Sequence, residues 1–259
     1  MVHRWFNFLF GIWGAFCFFV PFLLFLPFLH LFAARAKWHG YASKLNFFWA
    51  RLFFWFSFLP HTVVGKAQIQ KGKACVYCVN HSSWLDIVAM GLVAKGDYKF
   101  MGKASLSKIP LFGTMFSKLH IMVNRESKIS AFRAFLQAKE ALRQGQSIII
   151  FPEAGIKGEP PCLQSFKDGA FRLAVEAQVP LIPITLLDNW KIVDKQFQTA
   201  WHPAKAIVHA PISTEGLTAK DVEALQQQAF MIMDNALRTH YPTYYKAEIL
   251  TPLEVPTTN

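Results

Sequence analysis

Acidic residues are absent from the first 85 residues of this 259-residue chain, and the first Asp or Glu is Asp86. The same stretch contains eight basic residues, so it carries most of the formal net charge of +11. The rest of the chain holds 19 bases and 16 acids, which nearly balance. The excess positive charge therefore lies at one end of the chain. Nucleic-acid binding is disfavoured, because no motif that reads a nucleic-acid groove carries this charge.

Charged residues are few (17%) and hydrophobic residues many (53%), which excludes a disordered chain. Four cysteines are too few for a disulfide-rich scaffold. Cys75 and Cys78 lie three residues apart in a predicted strand, where their side chains point to opposite faces. Such a pair cannot readily hold one metal ion. We therefore predict packed thiols and no metal site.

Two apolar, aromatic runs occupy the basic end, and 16 of the 26 phenylalanines lie before residue 61. The first run, residues 8–29, has no charge and would be about 33 Å long as a helix, against a hydrocarbon core of roughly 30 Å. The second, residues 45–59, would be only about 22 Å long and contains Arg51. Apolar, aromatic and basic residues together indicate a membrane attachment.

Basic residues flank both runs, so their distribution defines no single inside face. A hairpin that enters and leaves one leaflet fits this distribution of basic residues best. A transmembrane span by the first run is the first alternative. Pro21 and Pro27 are expected to kink or break the first helix. A cleaved signal peptide ending near Ala34 and Ala36 is a second alternative, although the run is too long for it. We expect a hairpin at residues 1–60, a catalytic domain at 61–250 on the cytoplasmic face (of the inner membrane if bacterial), and a tail at 251–259.

After residue 61 the pattern alternates between short apolar strands and amphipathic helices. Strands are predicted at residues 74–79, 147–151, 179–187 and 206–209. Helices are predicted at residues 86–95, 130–144 (with Ser130 as a possible cap and Gly145 beyond its end), 168–178 and 218–239. This order predicts an α/β fold with a mixed, largely parallel sheet flanked by helices, and with the hydrophobic helical hairpin at its N-terminus.

The segment Asn80-His81-Ser82-Ser83-Trp84-Leu85-Asp86 follows the first of these strands directly. An imidazole whose one nitrogen is held by a carboxylate exposes the other as a general base. His81 and Asp86 are therefore the candidate catalytic pair. The alternative is structural, with Asp86 capping a helix and His81 making a hydrogen bond at the strand end.

This segment resembles the H-x4-D signature of the 1-acylglycerol-3-phosphate acyltransferase family. Three further blocks follow in the family's order. The stretch from Lys103 to Gly113, ending downstream in Val-Asn-Arg125, is similar to the second block. The sequence Phe-Pro-Glu-Ala-Gly, residues 151–155, is similar to the third block, F-P-E-G-T-R. Residues 179–184, Val-Pro-Leu-Ile-Pro-Ile, are similar to the fourth, V-P-I-x-P-V.

The resemblance implies that His81 and Asp86 are catalytic. It also implies a set of substrate-binding residues: Lys103, Arg125, Glu153, Gly155 and Lys157. Glu153 would hold acceptor hydroxyls or order the cations, or else pair with a neighbouring lysine. The third block lacks the family's Arg, for which Lys157 or Lys167 could substitute as a point charge without its bidentate geometry.

The implied reaction moves a fatty acyl group from acyl-CoA or acyl-carrier protein to the free hydroxyl of 1-acyl-glycerol-3-phosphate, giving phosphatidic acid. No cofactor, metal or covalent enzyme intermediate is needed. The implied partners are a lipid bilayer, a lysophospholipid acceptor and an acyl thioester donor. Two alternatives remain: an O-acyltransferase for another lysolipid such as a lyso-aminolipid, and a non-catalytic membrane lipid-binding module.

Overall fold

The computed structural model of the protein describes residues 2–245, with side chains from Arg4 onward. The tail expected at residues 251–259 and the last residues of the expected catalytic domain lie outside the described residues. The α-helices of the described part are α1 (Val2–Ala33), α2 (His39–Phe56), α3 (Leu85–Val93), α4 (Phe112–Leu119), α5 (Lys128–Arg143), α6 (Gly169–Ala177), α7 (Asn189–Ile192) and α8 (Val222–His240). Its strands are β1 (His61–Val64), β2 (Val76–Val79), β3 (Tyr98–Lys103), β4 (Ile121–Val123), β5 (Ser147–Ile150), β6 (Leu181–Leu187) and β7 (Ala204–Val208).

These strands form one seven-stranded sheet in the order β1-β7-β6-β2-β5-β3-β4. Every neighbouring pair runs parallel except β6 and β7, which are antiparallel. The predicted mixed, largely parallel sheet flanked by helices is therefore confirmed. Because β6, β2, β5, β3 and β4 all run in one direction, their carboxyl ends meet at one edge of the sheet, where ligands bind in open α/β folds.

Several elements were not predicted from the sequence, namely β1, β3, β4, α4 and the four-residue α7. β4 has only three residues, and β3 includes Lys99 and Gly102, so their hydrophobic patterns are short or interrupted. The N-terminus of α5 also differs from the prediction. Its cap is Ser127, whose side chain accepts a hydrogen bond from the backbone N–H of Ser130, and not Ser130 itself. Gly145, with a φ of 82°, follows the end of α5 as predicted.

The core consists of two layers, one on each face of the sheet. Successive residues of the fully buried strand β2 point to opposite faces, so Tyr77 packs with α2 and α3, and Cys78 packs with α5, α6 and α8. Cys75 lies in the first layer and Cys78 in the second, and both are buried free thiols. These two cysteines therefore face apart, as the sequence predicted.

Helices α1 and α2 form the N-terminal hairpin and run antiparallel to each other. Their contacts pair the start of one with the end of the other: the indole N–H of Trp13 donates to Phe56 O at 2.9 Å, and that of Trp49 donates to Phe18 O at 3.1 Å. Helix α1 continues through both Pro21 and Pro27, so the expected break at these prolines does not occur, while the expected kink stays a prediction. Within the described residues, α1 is the one helix long and apolar enough to cross a membrane.

The hairpin packs on the catalytic domain along its length. A Cβ atom at Gly91 of α3 would lie 3.1 Å from Ala50 Cβ of α2, so the missing side chain allows the two helices to approach closely. The rings of Phe22 in α1 and Phe112 in α4 lie 6.0 Å apart. Near the start of the chain, Asn7 O accepts a hydrogen bond from the Thr199 hydroxyl. Helix α1 is thus in contact with the domain toward both of its ends.

Candidate active site

The carboxyl edge of the parallel strands brings together side chains from five separate segments. The residues concerned follow β6 (Asn189), β2 (His81 and Asp86), β5 (Glu153, Gly155 and Lys157), β3 (Lys103, its last residue) and β4 (Arg125). All seven sequence-predicted site residues therefore lie at one edge of the sheet. Their catalytic and binding roles remain predictions, whereas the geometry below is observed.

The loop between β2 and α3 is fixed at its start by Asn80. The buried Asn80 amide donates to Leu186 O at 3.1 Å and accepts from Leu186 N at 2.7 Å, which joins the loop to β6. Beyond it, His81 Nδ1 lies 3.0 Å from Asp86 Oδ2. The sequence-predicted pair is therefore in direct contact.

Asp86 is fully buried, and each of its oxygens has partners. Besides the His81 ring, Oδ2 accepts the backbone N–H groups of Ser82 at 2.8 Å and Ser83 at 2.9 Å. Oδ1 accepts the side-chain amide of Asn189 at 2.8 Å. The Asp86 carboxylate thus accepts hydrogen bonds on both of its oxygens. It therefore holds the proton of His81 on Nδ1 and leaves Nε2 as the basic nitrogen.

Asn189 was missed by the sequence analysis. It is the first residue of α7, and its neighbour Asp188 has a φ of 67°. Asp188 is buried and accepts hydrogen bonds from the Tyr241 hydroxyl and from Lys191, while His240 Nε2 lies 2.8 Å from its Oδ2. No local sequence signal links position 189 to Asp86, because the contact joins residues 103 apart in the chain.

The Phe151–Gly155 turn supports His81 from the side of β5. The His81 and Phe151 rings stack with centroids 4.1 Å apart. Glu153 accepts the backbone N–H of His81 on Oε1 at 2.8 Å and that of Gln164 on Oε2 at 2.9 Å. Burial raises the pKa of the Glu153 carboxyl to about 7, although these two hydrogen bonds oppose the rise. In the described structure its hydrogen-bond partners are backbone groups, and the expected alternative of an ion pair with a lysine is not observed.

The predicted phosphate-binding residues lie close to one another. Arg125 Nη1 donates to Ala154 O, and a Cβ atom at Gly155 would lie 3.9 Å from Arg125 Nη1 and 3.8 Å from Lys157 Cε. Lys103 pairs in register with Val123, two residues before Arg125. Among residues 4–245, Lys103, Arg125 and Lys157 form no ion pair. The three exposed cations therefore provide charge for an anionic group at this edge.

The backbone of this turn explains one feature of the third block. Ala154 has a φ of 61°, a left-handed conformation that is unfavourable for a residue with a Cβ atom. The acyltransferase pattern has glycine at this position. The glycine therefore removes a backbone strain that this chain retains.

We expect Ala154→Gly to raise the free energy of unfolding by up to about 1 kcal/mol, because the relief of left-handed strain exceeds the entropy that glycine adds to the unfolded chain. Urea unfolding in detergent measures the change. Ala131→Gly, at an exposed position in α5, is the matched control and should lower stability by about 1 kcal/mol. Equal losses for both variants would contradict the assignment of strain to Ala154.

Comparison with known proteins relates this chain to acyltransferases. A family profile described as "Acyltransferase" matches residues 61–187. An uncharacterized acyltransferase of Schizosaccharomyces pombe is 35% identical over 175 residues, which are 65% of this chain and 62% of that protein. The human 1-acyl-sn-glycerol-3-phosphate acyltransferase beta is 32% identical over 188 residues, 68% of this chain and 64% of its own.

The fold also matches a solved structure. The crystal structure of the 1-acyl-sn-glycerophosphate acyltransferase PlsC from Thermotoga maritima has a TM-score of 0.75, with 20% identity, over 92% of this chain and 97% of the other. At that identity the likeness shows the fold alone. The chain spans 46% to 62% of the length of four of its curated relatives.

The largely parallel sheet, with the His81–Asp86 pair and three cations at its carboxyl edge, has the fold of this solved acyltransferase. Residues 61–187 match the family described as "Acyltransferase", and the chain is similar to 1-acyl-sn-glycerol-3-phosphate acyltransferases, as the four sequence blocks predicted.

Proposed function

We propose that this protein transfers a fatty acyl group from an acyl thioester, acyl-CoA or acyl-carrier protein, to the free hydroxyl of 1-acyl-glycerol-3-phosphate, giving phosphatidic acid. The observation that carries the proposal is the His81–Asp86 contact beside a basic group of residues. Names of relatives, such as the human enzyme, support the same acceptor.

His81 acts as a general base in this reaction. Its Nε2 takes the proton of the acceptor hydroxyl while the hydroxyl oxygen attacks the thioester carbonyl carbon. The carbon–sulfur bond then breaks, and the imidazolium returns the proton to the departing thiolate. Asp86 stabilises the imidazolium and keeps the proton of the resting imidazole on Nδ1.

The developing oxyanion requires donors other than the nearest backbone N–H groups. Those of Ser82 and Ser83 donate to Asp86, that of His81 donates to Glu153, and that of Ala154 donates to Phe151 O. These four groups are used within the protein. They are therefore unsuited to stabilise the oxyanion.

Arg125, Lys103 and Lys157 hold the acceptor phosphate in this proposal. Arg125 contributes the planar fork that a phosphate accepts best, and the lysines contribute point charges. The Arg125 contact with Ala154 O connects this cation to the turn that supports His81. Binding of the phosphate would thus position the acceptor hydroxyl relative to the general base.

We expect Arg125→Ala to raise the KM for the acceptor by about 10- to 100-fold, because a charged hydrogen bond contributes roughly 1.5–3 kcal/mol. The KM for the thioester donor should stay within about twofold. Steady-state assays that vary each substrate separately measure both values. Arg133→Ala, an exposed cation of α5, is the control. A change confined to the donor KM would assign Arg125 to the donor site.

Membrane attachment through one leaflet is part of the proposal. The α1 helix exposes Phe8, Phe16, Leu24 and other large apolar residues, which favours contact with lipid. It also touches the domain near Asn7, through Thr199, and again near Phe22, through Phe112. A helix attached to the domain at both ends lies along it, which supports an interfacial hairpin over a span. We place the domain on the cytoplasmic face.

The altered third block favours a second candidate acceptor, a lysolipid without glycerol phosphate such as a lyso-aminolipid. Lys157 stands near the position where the family pattern has Arg, and a lysine cannot bind phosphate bidentately. Purified protein should be given acyl-CoA with lysophosphatidic acid or with a phosphate-free lysolipid. Preference for the phosphate-free acceptor would select the second candidate. Retention of lipid without turnover on either acceptor would indicate a non-catalytic lipid-binding module.

A further inference from the structure

A short turn between α7 and β7 presents an aromatic ring to solvent. Val193 and Thr199 pair as an antiparallel bridge, and the segment between them reverses direction. Asp194 holds this reversal: its backbone N–H donates to Gln198 O at 3.0 Å, and its Oδ1 accepts the N–H groups of Gln196 and Gln198 at 2.8 Å. We name residues 194–198 the aromatic turn. Its hydrogen bonds define one conformation before any ligand binds.

Phe197, in this turn, has two unfavourable features. Its φ is 62°, which is rare for a bulky side chain, and 66% of the residue is exposed. Its ring stacks on that of Trp84, which is itself 44% exposed, with centroids 5.2 Å apart and planes 9° from parallel. Strained backbone at a defined position often serves a function. The two rings form one apolar surface that the described residues leave uncovered.

The aromatic turn is attached to the catalytic loop. Trp84 lies between His81 and Asp86 in the sequence. Its neighbour Ser83 donates from Oγ to Val193 O at 2.5 Å, directly before the turn. Whatever covers the two rings therefore lies beside the loop that carries His81 and Asp86.

The aromatic turn is also attached to helix α1. Thr199 Oγ1 donates to Asn7 O at 2.9 Å. A Cβ atom at Gly11 would lie only 2.6 Å from Thr199 Oγ1, so glycine at this position permits the close approach of Thr199 to α1. The exposed apolar face of α1 begins in the same turns of the helix, with Trp5, Phe8 and Ile12. The aromatic turn is thus joined through Thr199 to the apolar N-terminal turns of α1.

We propose that Trp84 and Phe197 form a second membrane-contacting element that inserts into the same leaflet as α1. The inference rests on the proposed membrane function. The occupant is the interfacial region of a phospholipid bilayer, because aromatic rings favour that region and the aromatic turn is attached to the apolar, exposed start of α1. Insertion brings the dyad loop to the bilayer surface, where an acceptor lipid needs little displacement to reach His81.

The test uses Phe197→Asn in the full chain, because asparagine tolerates a positive φ and removes the ring without adding backbone strain. The long-chain acceptor is lysophosphatidic acid in vesicles of phosphatidylcholine and phosphatidylglycerol. The soluble acceptor is the hexanoyl form below its critical micelle concentration. We expect the apparent KM for the vesicle-borne acceptor to rise about tenfold and kcat/KM for the soluble acceptor to stay within twofold.

The matched control is Phe132→Asn, which removes an equally exposed ring from α5 and should change neither value. Unchanged kinetics of Phe197→Asn on both acceptors would overturn the proposal and assign the rings to another partner, such as a protein. An equal loss on both acceptors would also overturn it, because the turn would then act through the dyad alone.

The two proposals can fail separately. If the unsubstituted protein turns over neither acceptor, the proposed function fails, and vesicle flotation still tests the membrane contact. Reduced flotation of Phe197→Asn relative to Phe132→Asn would then support the contact, and equal flotation would overturn it.

Discussion

His81→Ala is expected to lower acyl transfer from acyl-CoA to lysophosphatidic acid by about 10²–10⁴-fold, the range that a positioned general base contributes. The physical reason is specific to one atom, because Nε2 is the basic nitrogen that the Asp86 contact leaves available. The backbone N–H of position 81 still donates to Glu153 in the variant, so the loop keeps its connection to the Phe151–Gly155 turn. Initial-rate assays at saturating substrates measure the effect.

Two controls separate chemistry from folding. His202→Ala removes an imidazole outside the site, one whose Nδ1 lies 2.7 Å from the adjacent Pro203 O, and should leave turnover unchanged. His81→Ala should still retain lysophosphatidic acid in an equilibrium binding assay, since the cations are intact. Turnover within threefold of the unsubstituted protein would refute the role of His81 as general base. It would indicate that the H-x4-D motif has a structural function in this chain.

Asp86→Asn is expected to lower turnover by about 10³–10⁴-fold, as loss of the ionised partner does in related dyads and triads. The substitution also places an NH2 group, a hydrogen-bond donor, where the surrounding groups are themselves donors. Oδ2 of Asp86 accepts from the His81 ring and from two backbone N–H groups, and Oδ1 accepts from Asn189 Nδ2. An amide NH2 group in either position faces an N–H. We therefore expect a loss of about 1–3 kcal/mol in unfolding free energy as well.

A double variant distinguishes the two effects. Adding Asn189→Asp to Asp86→Asn supplies an acceptor for the new amide and lets the remaining amide oxygen face His81, Ser82 and Ser83. Unfolding free energy should recover by at least half, whereas turnover should stay low, because the group that faces His81 is neutral. Full recovery of turnover in the double variant would show that the charge of Asp86 is not required. Urea unfolding and initial rates measure the two quantities.

Local pattern predicted much of the fold. The strands near residues 76, 148 and 182 were found because they are short apolar runs, and the helices because of their periodicity. The elements missed were those whose pattern is too short to detect, such as the three-residue β4. The continuity of α1 through Pro21 was also missed, because packing on α2 and α4 outweighs the loss of a helical hydrogen bond.

By itself, the sequence determined the α/β class, the apolar hairpin, and the order of four blocks with His81 and Asp86 in the first. These features depend on spacing and on periodicity, which a linear chain displays directly. Only the tertiary structure decided that Asn189 donates a hydrogen bond to Asp86, that Glu153 accepts the backbone N–H of His81, and that the ring of Phe197 stacks on that of Trp84. Each of those contacts joins residues 72 to 113 positions apart. Such contacts arise from sheet order and strand direction, which no local pattern encodes.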